Sequence, residues 1–226
     1  VVAALCVPAL VLVSTSAPAD AADRREVSVR REARALRSRP VRRALVLAAL
    51  VNGATFATFA YLAVIASDVA RLPQGAVPVL LAAFGAGAFI GVTVAGRSGS
   101  GGLRRGVVLA MCALPVGWAA LAVTGAHPVP LVALAVVQGG LSFGVGSTLA
   151  GHVMRAASDA PSLGGAFATV GLNVGAVLGP LPAGLATGTT GDYRAAPWVS
   201  AVLAAAALAV IGARRRGSSR SWRVPR

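Results

Sequence analysis

The chain has 226 residues, of which 56% are hydrophobic and 12% charged, and its formal net charge is +14. Soluble domains carry roughly 25% charged residues, and the charged side chains here gather in short stretches between long apolar runs. That pattern excludes an ordinary water-soluble domain, which needs polar cover over its whole surface. It assigns the positive charge to segments lying beside anionic lipid rather than to a nucleic-acid surface.

The apolar runs are 1–19, 44–66, 76–95, 106–124, 129–150, 162–187 and 196–213, and none contains Asp, Glu, Lys or Arg. Each is near the roughly 17–25 residues that a helix needs to cross a hydrocarbon layer of about 30 Å. Barrel strands would be about 10 residues long and would alternate strictly; these runs do not. The sequence therefore predicts an all-α, polytopic transmembrane helix bundle with seven crossings.

Every basic residue is Arg. Nineteen of the 21 fall in 20–43, 96–105, 151–161 and the tail after 213, whereas the alternate connections hold only Arg71 and Arg194. Positive charge is retained on the cytoplasmic side, so those four segments are expected in the cytoplasm and residue 1 outside. The run 1–19 has no basic n-region, and cleavage after it would leave nine arginines outside. It reads as a membrane helix, either at the cut edge of a longer chain or at a wrongly assigned start. Cys6 and Cys112 both lie in apolar runs and read as small buried hydrophobes, with no metal or disulfide spacing.

In chain order, 20–43 mixes Asp20, Asp23, Glu26 and Glu32 with nine arginines and reads as a connector, with a short surface helix from Asp23 to Arg37. In the run 44–66, Asn52, Phe56 and Phe59 fall at i, i+4 and i+7 on one helix face. A face mixing amide and aromatic groups suits a partner interface or a cavity better than lipid. Asp68 and Arg71 follow at the outer end. The run 76–95 carries Gly87 and Gly91, a small-xxx-small pair that lets two helices approach closely. The glycine-rich stretch 96–106 lacks both a preceding strand and GK[ST], so it is a turn and not a phosphate loop.

Pro115, Gly117 and Trp118 lie within 106–124. Gln138, in 129–150, is an amide that must face protein or water inside the membrane, and His152 follows just past that run. The run 162–187 is the most informative. Gly171, Gly175 and Gly179 share one face and form a smooth strip for another helix to slide along or lock against. Pro180 and Pro182 remove backbone donors, so the helix should bend there. The run 196–213 is featureless and expected at the periphery, with Trp198 as an interfacial anchor.

Two stretches carry a resemblance. Val51-Asn52-Gly53-Ala54-Thr55-Phe56-Ala57-Thr58-Phe59 with Tyr61-Leu62-Ala63 is one. Leu163-Gly164-Gly165-Ala166, Asn173-Val174-Gly175 and Leu178-Gly179-Pro180 make the other. With them the chain resembles the C-terminal half of a major facilitator superfamily transporter, in the drug:proton antiporter group near chloramphenicol-resistance and arabinose-efflux-like permeases. The resemblance implies that 1–19 is helix six of such a protein and 20–43 its cytoplasmic linker. It makes 44–213 the second six-helix half and 214–226 a basic cytoplasmic tail, in the inner (plasma) membrane.

It further implies alternating access to a site between two halves. Asn52, Phe56, Phe59 and Gln138 would face the central cavity, and Gly171, Gly175, Gly179 and Pro180 would serve packing and gating where halves meet. The implied partners are the lipid bilayer, a small-molecule substrate, protons and a missing N-terminal half. No catalytic residue, metal or cofactor is implied. The family's G-x-x-x-D-[RK]-like element is incomplete, because Gly91 to Arg105 contains no Asp. No acidic residue lies within the runs, so a proton-coupling carboxylate is expected in the N-terminal half. A non-transporting half-transporter remnant and a sugar exporter are the alternative readings.

Overall fold

The computed structural model describes residues 32–97, 105–158, 160 and 163–218. The run 1–19, the first half of the 20–43 connector, the loop 98–104 and the end of the tail lie outside them. After a 3-10 turn at Arg34–Arg37, helix α1 (Arg39–Val64) begins five residues before its apolar run. The cause is local: the Ser38 hydroxyl accepts from the Val41 amide at 3.4 Å, and Pro40 sits in the first turn, where no N–H is needed. Arg42 and Arg43 are exposed on that first stretch, while Val41 and Ala44 are buried. A π-turn, Ile65–Val69, closes the C-terminal end of α1.

Helices α2 (Ala76–Arg97), α3 (Arg105–Thr124) and α4 (Pro128–Ala156) follow their runs closely, except that α4 continues past 150 and carries His152 and Arg155 on its last turns. The run 162–187 becomes two helices, α5 (Gly164–Leu178) and α6 (Pro180–Thr190), separated at Gly179. Pro180 has no donor to continue the ladder. Gly191, in the left-handed region at φ 68°, ends α6. Helix α7 is Ala195–Ser218. With α5 and α6 taken as one span, six helical segments are long and apolar enough to cross a membrane, and the described residues contain no strand.

The exterior is as apolar as the interior. Val79, Phe89, Ile90, Val129 and Leu185 are all more than half exposed, a surface suited to lipid and not to water. The interior is filled largely by small residues around Trp118, Met111 and several leucines. Where lipid competes with apolar side chains, helices associate through close packing of small residues and internal hydrogen bonds.

The packing is internally repeated. Helix α1 packs on α5 and α7, and α4 packs correspondingly on α2 and α3. Helix α1 also meets α4, and α3 meets α7. Exchanging α1–α3 with α4–α7 interchanges the first two sets of contacts and leaves the α1–α4 and α3–α7 contacts unchanged. Each unit makes an odd number of crossings, so the second unit is inverted relative to the first.

Candidate functional site

The glycine strip lies inside the bundle, against α1, and not on an open face. A Cβ on Gly171 would stand 2.9 Å from Leu45 Cδ2, and Cβ atoms on Gly175 and Gly179 would collide with the backbone carbonyls of Ala49 and Gly53. Leu45, Ala49 and Gly53 are themselves spaced by four, so the two rows run face to face. In return, a Cβ on Gly53 would lie 3.3 Å from the Gly175 carbonyl oxygen. A second seam repeats the device between α2 and α4. Side chains on Gly87 and Gly91 would collide with the Val136 and Gly140 carbonyls, and one on Gly139 would collide with that of Phe84.

Asn52 sits beside the first seam. Its Nδ2 donates to the Leu172 carbonyl at 2.7 Å, which ties α1 to α5. Phe56 and Phe59 are half-buried and meet edge-on at 5.9 Å between ring centres. Phe59 continues to Phe84 of α2 at 5.0 Å, and Phe84 to Phe143 of α4 at 6.1 Å. The aromatic face read from the sequence is thus one end of a four-ring ladder across three helices. Phe84 and Phe143 lay outside that reading, because period-based arguments see one helix at a time.

Gln138 is fully buried. Its Nε2 donates to the Leu114 carbonyl at 3.1 Å, and the absence of a side chain on Gly117 makes room for its amide. In this conformation it bridges α4 to α3 and does not line an open cavity; the expectation that it faces a protein group is met by the α3 backbone. Trp118 Nε1, Gln138 Oε1 and Ser142 Oγ are buried without a hydrogen-bond partner. Cys112, expected to be buried, is exposed on the outer face of α3.

Two further polar ties escaped the sequence reading. Ser200 donates to the Ala196 carbonyl at 3.3 Å, which leaves Thr58 to donate to Ser200 at 2.6 Å, deep between α1 and α7. The run called featureless therefore anchors on α1. Glu32, only 4% exposed, accepts the Leu163 amide at 2.9 Å just ahead of α5. At the opposite end Tyr61 stacks on Tyr193 at 6.3 Å. Beside it, Arg194 pairs with Asp192 at 2.9 Å, and the hydrogen bond from Arg194 holds the Asp192 carboxyl below its ordinary value. Among the described residues no three His, Cys, Asp or Glu side chains gather as a metal set.

A bundle of six long apolar helices, closely packed along two glycine seams, is the fold of a multi-pass α-helical membrane protein and is consistent with a major-facilitator-like helix bundle. The chain is 42% identical over 212 residues to a chloramphenicol resistance protein of Streptomyces lividans, an alignment covering 92% of this chain and 54% of that one. It therefore spans about half the length of the curated relative it matches. No family model matches the chain, and no solved structure does.

Proposed function

We propose that this chain forms one six-helix unit of a secondary transporter that exports small amphipathic compounds by alternating access, with chloramphenicol-like molecules as the first substrates to examine. The observation that carries the reading is the 42% identity to a chloramphenicol resistance protein over nearly the whole chain. The fold is compatible with it. Two inverted helical units whose interior glycines lock them into a rigid body suit rocking of one bundle against another. The alignment covers 54% of the relative, which accords with a second six-helix unit forming the opposite wall.

Within this reading Asn52, Phe56 and Phe59 present an amide edge and aromatic faces to a weakly polar substrate. The glycine strip Gly171–Gly179 keeps α5 fixed to α1, and the break at Pro180 lets α6 bend separately. The arginine distribution supports a cytoplasmic connector and C-terminus, in a plasma membrane. Asp68 is exposed and accepts from Ser67 at 2.6 Å at the end of α1, a place better suited to an interface than to proton coupling. A coupling carboxylate belongs on the opposite wall.

The test is growth of an efflux-deficient host expressing the encoded protein on a panel of amphipathic inhibitors that includes chloramphenicol. Resistance that Asn52→Leu lowers supports the reading. Protein present in the membrane with no change in any inhibitory concentration refutes it.

A further inference from the structure

We propose that the cleft between α2 and α3 is a binding site for an anionic phospholipid, with an acyl chain in the cleft and the headgroup phosphate between Arg97 and Arg105. The two helices are consecutive in the chain, yet each packs chiefly on α4 or α7 rather than on the other. They leave an opening of 640 Å³ floored by α4, with Gly87, Val94, Gly106, Ala110, Gly144 and Thr148 among its lining. Every other lining residue is apolar, and the Thr148 hydroxyl is already donated to the Gly144 carbonyl at 3.0 Å. The walls therefore offer a polar ligand nothing to bond and suit a hydrocarbon chain.

The depth fits one leaflet. On α2 the lining runs from Gly87 to Ala95, about 12 Å of helix at 1.5 Å per residue, and half of a hydrocarbon core is about 15 Å. The mouth lies where α2 ends and α3 begins. Arg97 closes α2 two residues beyond Ala95, and Arg105 opens α3 next to Gly106. Both arginines are exposed, and neither is ion-paired among the described residues. No acidic residue occurs between Asp68 and Asp159, so α2, α3 and α4 bring no carboxylate of their own to neutralise this mouth. An apolar slot of leaflet depth under two exposed guanidinium groups is complementary to a lipid with an anionic head. The inference goes beyond transport itself. It takes from the functional reading only the cytoplasmic assignment of this end, where anionic lipid is expected.

Native mass spectrometry of the encoded protein in detergent, titrated with phosphatidylglycerol and separately with phosphatidylcholine, tests the site without relying on transport. The wild type should retain phosphatidylglycerol over phosphatidylcholine by about 25-fold, from about fivefold for each arginine near an anionic surface. Arg97→Gln with Arg105→Gln should bring the two lipids to parity. Ala110→Trp, which fills the slot, should lose both, while Ala113→Trp, on the exposed face of α3, should behave as wild type. Equal retention by the wild type, or a preference unchanged in the double arginine variant, overturns the proposal. So does a label at position 110 that crosslinks to a helix of another polypeptide, which would make the slot a helix seat.

Discussion

Gly175 of α5 lies directly against the Ala49 carbonyl of α1, so close that any side chain at 175 would run into the α1 backbone. The contact is between main chains, and neither partner can yield by changing a rotamer. Gly175→Leu is therefore expected to push α5 off α1 and to cost about 3 kcal/mol or more, at the upper end of overpacking penalties. Detergent-solubilised protein should melt earlier or elute as aggregate. Gly165→Ala is the control, because a Cβ there meets nothing. It should be neutral or stabilising by up to about 1 kcal/mol through helix propensity. Equal melting of Gly175→Leu and wild type would remove the seam from the account.

The Thr58–Ser200 pair is buried on both sides. Thr58→Val removes the donor and should cost about 1 kcal/mol, in the range of a buried hydrogen bond. Because Ser200 also bonds Ala196, the double variant Thr58→Val with Ser200→Ala should cost less than the two single changes added together. A double-mutant cycle in detergent should give a coupling of about 0.6 kcal/mol, near the average for interhelical bonds in membranes. Strict additivity would mean that the two hydroxyls do not meet.

Glu32 holds the connector to the start of α5 through one bond to the Leu163 amide. Glu32→Ala should expose the α5 N-terminus, seen as faster hydrogen exchange at 163–167 and a loss of about 1–3 kcal/mol for the unsatisfied group. Glu32→Gln keeps an acceptor oxygen and should restore most of the protection. Unchanged exchange in Glu32→Ala would show that the segment is held by other contacts.

Gln138 and Asn52 have different expected phenotypes, although both are amides in the membrane. Gln138→Met preserves the shape that fills the space over Gly117, and it should leave substrate affinity within about twofold, because volume-conserving swaps are well tolerated. Asn52→Leu should weaken transport about fivefold or more, the worth of about one hydrogen bond. The measurement is initial uptake rate against substrate concentration. A raised KM in Gln138→Met with wild-type stability would place that amide on the substrate path instead.

Much of the fold was legible because membrane helices announce themselves by length and composition. The ends of α2, α3 and α7 lie within about two residues of their apolar runs at the first turn, and Pro180 marked the break between α5 and α6. The start of α1 lies five residues ahead of its apolar run, where Ser38 and Pro40 mark it and hydropathy does not, because arginines occupy the first turn. The end of α4 was misplaced for a similar reason, since His152 and Arg155 read as loop. The glycine strip was visible as a face, but its partner was not, because Leu45 and Ala49 carry no mark distinguishing them from lipid-facing residues. Glu32 looked like one acid in a solvated basic connector; only the fold reveals that it is buried. Cys112 failed for the opposite reason. In lipid an apolar run has no polar side, so inward and outward faces cannot be told apart by hydropathy.

The export reading is tested most directly with inverted membrane vesicles from cells expressing the encoded protein, by following labelled chloramphenicol under an imposed proton gradient. Accumulation inside the vesicles should exceed that in vesicles from cells lacking the protein, and should be abolished by Gly175→Leu and reduced by Asn52→Leu. Accumulation equal to the control vesicles, with the protein verified in the membrane, would contradict it.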